Sequence, residues 1–95
     1  MPNRRDRIST LLTTALAPAV IEVRDDSSQH AGHAGATPGG ETHYSVLLVS
    51  DRFTGQGRVA RHRLVNAAVA VEFATGLHAL ALTLRTLDEQ ASLKG

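Results

Sequence analysis

Between Arg58 and Arg85 the hydrophobic period changes once, and that change limits the folds open to the chain. Over residues 58–74 the apolar side chains Leu64, Val65, Ala68, Val69, Val71 and Phe73 form the stripe of an amphipathic helix. Gly76 stands where a left-handed C-terminal cap stops such a helix. From His78 the period is two, because Leu80, Leu82 and Leu84 alternate with smaller or polar residues as a β-strand requires. A helix of this length followed at once by a strand is a crossover. It brings that strand in parallel to an earlier one, with a right-handed connection.

Two earlier strands are available. Residues 20–25 place Ile21 and Val23 on one face, and residues 43–50 place Tyr44, Val46 and Leu48 on one face with Leu47 and Val49 on the other, as suits a central strand. Ahead of them Ile8, Leu11, Leu12, Ala15 and Leu16 mark a helix over about 5–17, which Pro18 cannot continue. Thr86, with Glu89 three residues on, is the capping-box start of a last helix over 86–93. The order is α-β-β-α-β-α: one α+β domain over residues 1–95, with helices on one face of a three-stranded mixed sheet. Only 3% of residues are aromatic, so the core is aliphatic. The N-terminal charges are not followed by an apolar run of signal-peptide length, and no stretch approaches the ~18 apolar residues of a membrane span. A cytoplasmic protein without a membrane partner is expected.

Residues 26–42 show no apolar periodicity and are rich in Gly, Ala and Ser. A connection of that length is unusual in a compact domain and is usually functional or disordered. His30 and His33 lie within it, separated by two residues, and with His43 and His78 they offer enough imidazole for a zinc site, although such pairs are commonly just solvated. The chain has no Cys, which excludes disulfides and any all-thiolate metal site built by this chain alone. His78 shares the parity of Leu80, Leu82 and Leu84, so it starts their column at the mouth of the core. It reads either as a metal ligand or as a core-edge histidine satisfied by backbone or water, and the strand pattern alone favours the second.

The net charge of +1, from 10 Lys and Arg against 9 Asp and Glu, argues against a strong nucleic-acid binder. Locally, Arg4, Arg5 and Arg7 form one basic patch. Arg52, Arg58, Arg61 and Arg63 form another, which includes the start of the long helix. Cations there oppose the helix dipole, so Arg58, Arg61, His62 and Arg63 read either as an anion site or as tolerated surface charge. Gly55-Gln56-Gly57-Arg58-Val59-Ala60 spells a dinucleotide fingerprint, but four residues separate it from the strand end, and the second half of such a fold is missing. Neither a nucleophile elbow nor a paired-carboxylate arrangement is present, so a non-enzymatic protein is expected.

Taken together, Val23-Arg24-Asp25-Asp26-Ser27, Glu41-Thr42-His43-Tyr44, Val49-Ser50-Asp51-Arg52-Phe53-Thr54-Gly55, Arg61-His62-Arg63-Leu64-Val65 and Leu77-His78-Ala79-Leu80 resemble the BolA family. The family's fold is similar to a class II KH domain and agrees with the order above. The resemblance implies a heterodimer with a monothiol glutaredoxin, formed from a chain that is a monomer when alone. In it a two-iron, two-sulfur cluster is shared between a glutaredoxin cysteine, glutathione and BolA histidine. The family's ligand falls on His78, and a second comes from the loop between the first two strands, where His30 aligns best and His33 rivals it. Two imidazoles in place of thiolates raise the reduction potential. A protonatable ligand suits iron-sulfur trafficking or iron and redox sensing. The resemblance also implies, as an alternative, a DNA-binding transcriptional regulator using Arg58, Arg61, His62 and Arg63. The KH backbone clamp G-x-x-G is not reproduced, since one residue separates Gly55 and Gly57. Asn66, where the family often has an aromatic, and Leu87, where proline usually stands, depart from its pattern.

Overall fold

The computed structural model describes residues 3–26 and 42–94. Helix α1 spans Arg4–Leu16, strand β1 Val20–Asp25 and strand β2 His43–Val49. A short 3-10 turn, Asp51–Phe53, leads to α2 over Arg58–Ala68 and α3 over Ala70–Ala74; β3 covers Ala79–Arg85 and α4 Leu87–Lys94.

The Asn3 side chain accepts from the Asp6 amide at 2.8 Å, giving one of the orphan donors of the α1 N-terminus a partner. Ala17, in the left-handed region at φ 43, ends the helix with its amide on the Thr13 carbonyl, and Pro18 keeps it ended. Ile8, Leu12 and Leu16, each four residues from the next, are the buried apolar stripe. Each such side chain contributes about 2 kcal/mol through burial.

The sheet order is β1-β2-β3. β1 runs antiparallel to β2, from Val20 opposite Val49 to Asp25 opposite Tyr44. β2 runs parallel to β3, from His43 beside Ala79 to Val49 beside Arg85. Tyr44, Val46 and Leu48 project from the central strand into a core with Ile8, Leu12, Leu16, Phe53, Val65, Val69 and Leu77. Glu22, Ser45, Leu47, Ala81 and Thr83 line a shallow depression on the opposite face. At α4 the expected capping box is formed: the Thr86 hydroxyl accepts from the Glu89 amide at 3.1 Å and the Glu89 carboxylate from the Thr86 amide at 2.8 Å.

Two expectations need correction. The helix expected over 58–74 is broken at Val69 (φ -107, ψ 16), and Glu72 closes a tight i→i−3 bond onto the Val69 carbonyl at 2.9 Å. Leu64, Val71 and Phe73, expected inside, are 40%, 53% and 39% exposed, whereas Glu72 is buried. His78 does not begin a column into the core. It precedes β3 and is exposed, and Leu77 is the buried residue. The cause lies in the backbone: the amides of His78 and Ala79, consecutive in the chain, both donate to the Thr42 carbonyl, at 2.9 and 3.1 Å. A regular strand does not aim successive amides at one acceptor, so strand alternation starts only after this point.

Candidate functional site

The parallel pair β2 and β3 brings two histidines to one end of the sheet. The 72–77 turn delivers His78 to that end. Gly76, at φ 127, adopts a conformation that side chains disfavour, and the Leu77 amide returns to the Glu72 carbonyl at 2.9 Å. The rings of His43 and His78 stack with centroids 6.2 Å apart and planes 9° from parallel. His43 is half-buried, with Nδ1 2.8 Å from the Thr42 hydroxyl. Of the other proposed ligands, His30 and His33 lie outside the described residues. Asp26 and Thr42, on either side of that segment, both sit at this end, where the Asp26 amide donates to the His43 carbonyl at 2.7 Å. The Asp26 carboxylate is itself fixed by Arg24 Nε at 2.7 Å and by the Ser45 hydroxyl. Among the described residues no three of His, Cys, Asp and Glu are grouped to hold a metal ion.

In the sequence His43 stands among the possible zinc donors and within the family-like Glu41-Thr42-His43-Tyr44, and neither places its ring beside His78. Its signal was register: a parallel partner for β2 beginning after His78 sets the two imidazoles side by side.

The arginine cluster lies at the other end of the same strands. Gly57 caps α2 without a side chain, and Gly55 turns the chain ahead of it at φ 77. A groove of about 650 Å³ opens between α2, β3 and α4, lined in part by Arg58, Arg61, His62, Arg85 and Leu93. Arg58 and Arg63 are exposed and His62 is half-buried. Arg61 differs from the other two arginines. Its guanidinium bonds both oxygens of Glu89 at 2.6 and 3.2 Å, the Gln56 carbonyl at 2.7 Å and the Leu84 carbonyl at 3.3 Å, and lies 5.8 Å from the centroid of the Phe53 ring. It clamps α2 to β3 and α4. The Arg61 hydrogen bond, and after it the Thr86 amide, lower the Glu89 carboxyl to about 2.

The basic patch expected at Arg4, Arg5 and Arg7 is not one. Arg4 and Arg7 converge on buried Glu72 at 2.9 and 3.1 Å, and Arg5 Nε donates to the Val23 carbonyl at 3.1 Å. The buried carboxylate draws Arg4 inside and offsets one of the two charges, while Arg7 stays partly exposed.

No helix among the described residues is long and apolar enough to cross a membrane. A family described as "BolA-like protein" matches residues 12–89. The chain is 42% identical over 90 residues to the "DNA-binding transcriptional regulator BolA" of Escherichia coli K12, covering 95% of this chain and 82% of that protein. It is 48% identical over 79 residues to "BolA-like protein 1" of Pongo abelii, covering 83% of this chain and 55% of the relative, so it spans little more than half that protein's length. The BolA domain of SufE1 from Arabidopsis thaliana superimposes with a TM-score of 0.83 at 42% identity, over 94% of this chain and 98% of the domain. The architecture, the run of residues from 12 to 89 and these relatives agree: the chain belongs to the BolA-like family.

Proposed function

We propose that this chain lends imidazole to a two-iron, two-sulfur cluster carried by a monothiol glutaredoxin with glutathione, and performs no catalysis of its own. The observation that carries the reading is the setting of His78: an exposed ring, on a backbone fixed by the Thr42 carbonyl, stacked 6.2 Å from a second imidazole. The donor chemistry fits a shared group. With no Cys in the chain, thiolate ligands have to come from another molecule. When bound, the cluster supplies one-electron chemistry at a potential raised by imidazole ligation. The chain's own contribution is to present His78, at the end of the sheet where Asp26 and Thr42, the described residues flanking the segment of His30 and His33, also lie.

The test is anaerobic reconstitution with a monothiol glutaredoxin and glutathione, comparing wild type with His78→Ala, His43→Ala, His30→Ala and His33→Ala. His78→Ala is expected to abolish the mixed imidazole–thiolate spectrum; an unchanged spectrum removes His78 as the ligand. One of the other three changes should identify the second donor.

A second reading, DNA binding through the α2 end, draws on exposed Arg58, which lines the groove, on exposed Arg63 further along α2, and on the name of the Escherichia coli relative. In this reading Arg58 and Arg63 each contact one phosphate, while Arg61 is committed to Glu89. Arg58→Ala and Arg63→Ala should each reduce the salt slope of DNA affinity by about 1, and Arg61→Ala by less. Equal slopes for all three variants and wild type would remove the reading.

A further inference from the structure

We propose that Arg4, at the opposite end of the sequence, is the positioning residue for His78. For its functional consequence the proposal rests on the reading of His78 as a cluster ligand.

Arg4 is badly placed to serve its own helix. It is the first residue of α1, where a cation opposes the dipole, and it is only 8% exposed. Its guanidinium is directed instead at the far end of α3. Nη1 donates to Glu72 Oε1 at 2.9 Å, to the Glu72 carbonyl at 3.0 Å and to the Thr75 hydroxyl at 3.2 Å, and Nη2 donates to the Thr75 carbonyl at 3.0 Å. These carbonyls belong to the last turn, where a cation is favourable, and the Glu72 carbonyl that Arg4 joins also accepts from the Thr75 amide at 3.2 Å.

The turn in this grip is the one that ends in His78. The Glu72 carbonyl that Arg4 bonds also accepts from the Leu77 amide at 2.9 Å, and Leu77 is buried immediately before the histidine. A methyl group on Gly76 would stand 3.1 Å from Arg4 Nη2, so guanidinium and turn lie in close contact. His78 is therefore fixed on one side by the Thr42 carbonyl and on the other by a turn whose carbonyls Arg4 gathers. Arg7 bonds the same carboxylate, at 3.2 Å to Oε1 and 3.1 Å to Oε2, and provides an internal control.

The experiment uses the full chain and reads the His78 ring by NMR without any cluster. Arg4→Lys keeps a cation beside Glu72 but loses the planar fork that reaches two carbonyls. The β2 and β3 amide signals should remain, the His78 ring signals should shift, and the magnetisation transfer between the His43 and His78 rings should be lost. In reconstitution with monothiol glutaredoxin and glutathione, the same variant should bind the cluster roughly 10–100-fold more weakly, the range typical of residues that orient a ligand. Arg7→Gln leaves Arg4's bonds to the turn in place and should keep the ring contact. Wild-type ring signals in Arg4→Lys, or an equal displacement in Arg7→Gln, overturn the proposal. If Arg4→Lys does not fold, Thr75→Val replaces it. Loss of that hydroxyl should shift the same ring signals by less, and no shift overturns the proposal. His78→Ala run alongside separates the two claims: an unchanged cluster spectrum defeats the ligand reading, while the ring contact still scores Arg4.

Discussion

One pair of parallel strands ends in two chemically opposite places. Where β2 and β3 begin, two imidazoles stack at the end of the sheet, and Arg4 and Arg7 are turned to the Glu72 carboxylate ahead of the preceding turn. Where they end, the side chains gathered are guanidinium groups, and Arg61, with its side chain only 15% exposed, is bound to Glu89. In both places a carboxylate takes a cation that is largely enclosed. The difference is in what is left outward: a neutral donor for soft or borderline metals at one end, and separated positive charges suited to phosphate at the other. A chain with a net charge of only +1 can offer both because its charges are sorted by depth rather than by sequence neighbourhood.

The comparison breaks first at Glu72. Glu72→Ala should cost about 3–5 kcal/mol in urea unfolding, because it strands Arg4 in the interior; a loss under about 1 kcal/mol would mean that the pair is not energetically buried. At the other end Thr86→Ala removes the α4 cap and should cost about 1 kcal/mol. Acid titration sharpens the picture further. The folded Glu89 carboxyl, at about 2, lies below its ordinary value of 4.5. Its contribution to stability is therefore complete above about pH 4.5 and fades as the pH falls toward 2. Glu89→Gln should flatten the acid limb over that interval by a small amount, since the site is exposed and screened; superimposable limbs would show that the Arg61 clamp adds nothing. The smallest effect is expected at His78 itself. Replacing this exposed ring by Ala should change stability by less than about 0.5 kcal/mol, which separates its role from folding.

The element order, the central position of β2, the parallel return of β3 and the α4 capping box were all legible as periods and caps. The misplaced helix residues share one cause, which is that hydrophobicity outweighed phase. Glu72 stands seven residues after Val65 and three after Val69, squarely in the buried stripe, but Val71 and Phe73 are apolar and drew the assignment to themselves. Arg4 stands four residues before Ile8, in phase with Leu12 and Leu16, and was read as surface because it is charged. Opposite charges on two buried stripes were a readable sign of an ion pair between helices. The exposure of His78 was not readable, because it depends on two amides sharing one acceptor in a distant part of the chain. His30 and His33 fall outside the described residues, and their role stays with the reconstitution experiment.

Thr42 also bears on how the segment before it can vary. The carbonyl that holds His78 belongs to the residue at which that segment rejoins the sheet. Each doubling of a loop's length adds only about 0.6 kcal/mol of closure entropy. Insertions or deletions within residues 27–41 can therefore be accommodated while the anchorage of the imidazole at Thr42 stays put. Reach and aim are separately adjustable in this domain, and the oxygen of Thr42 is the pivot between them.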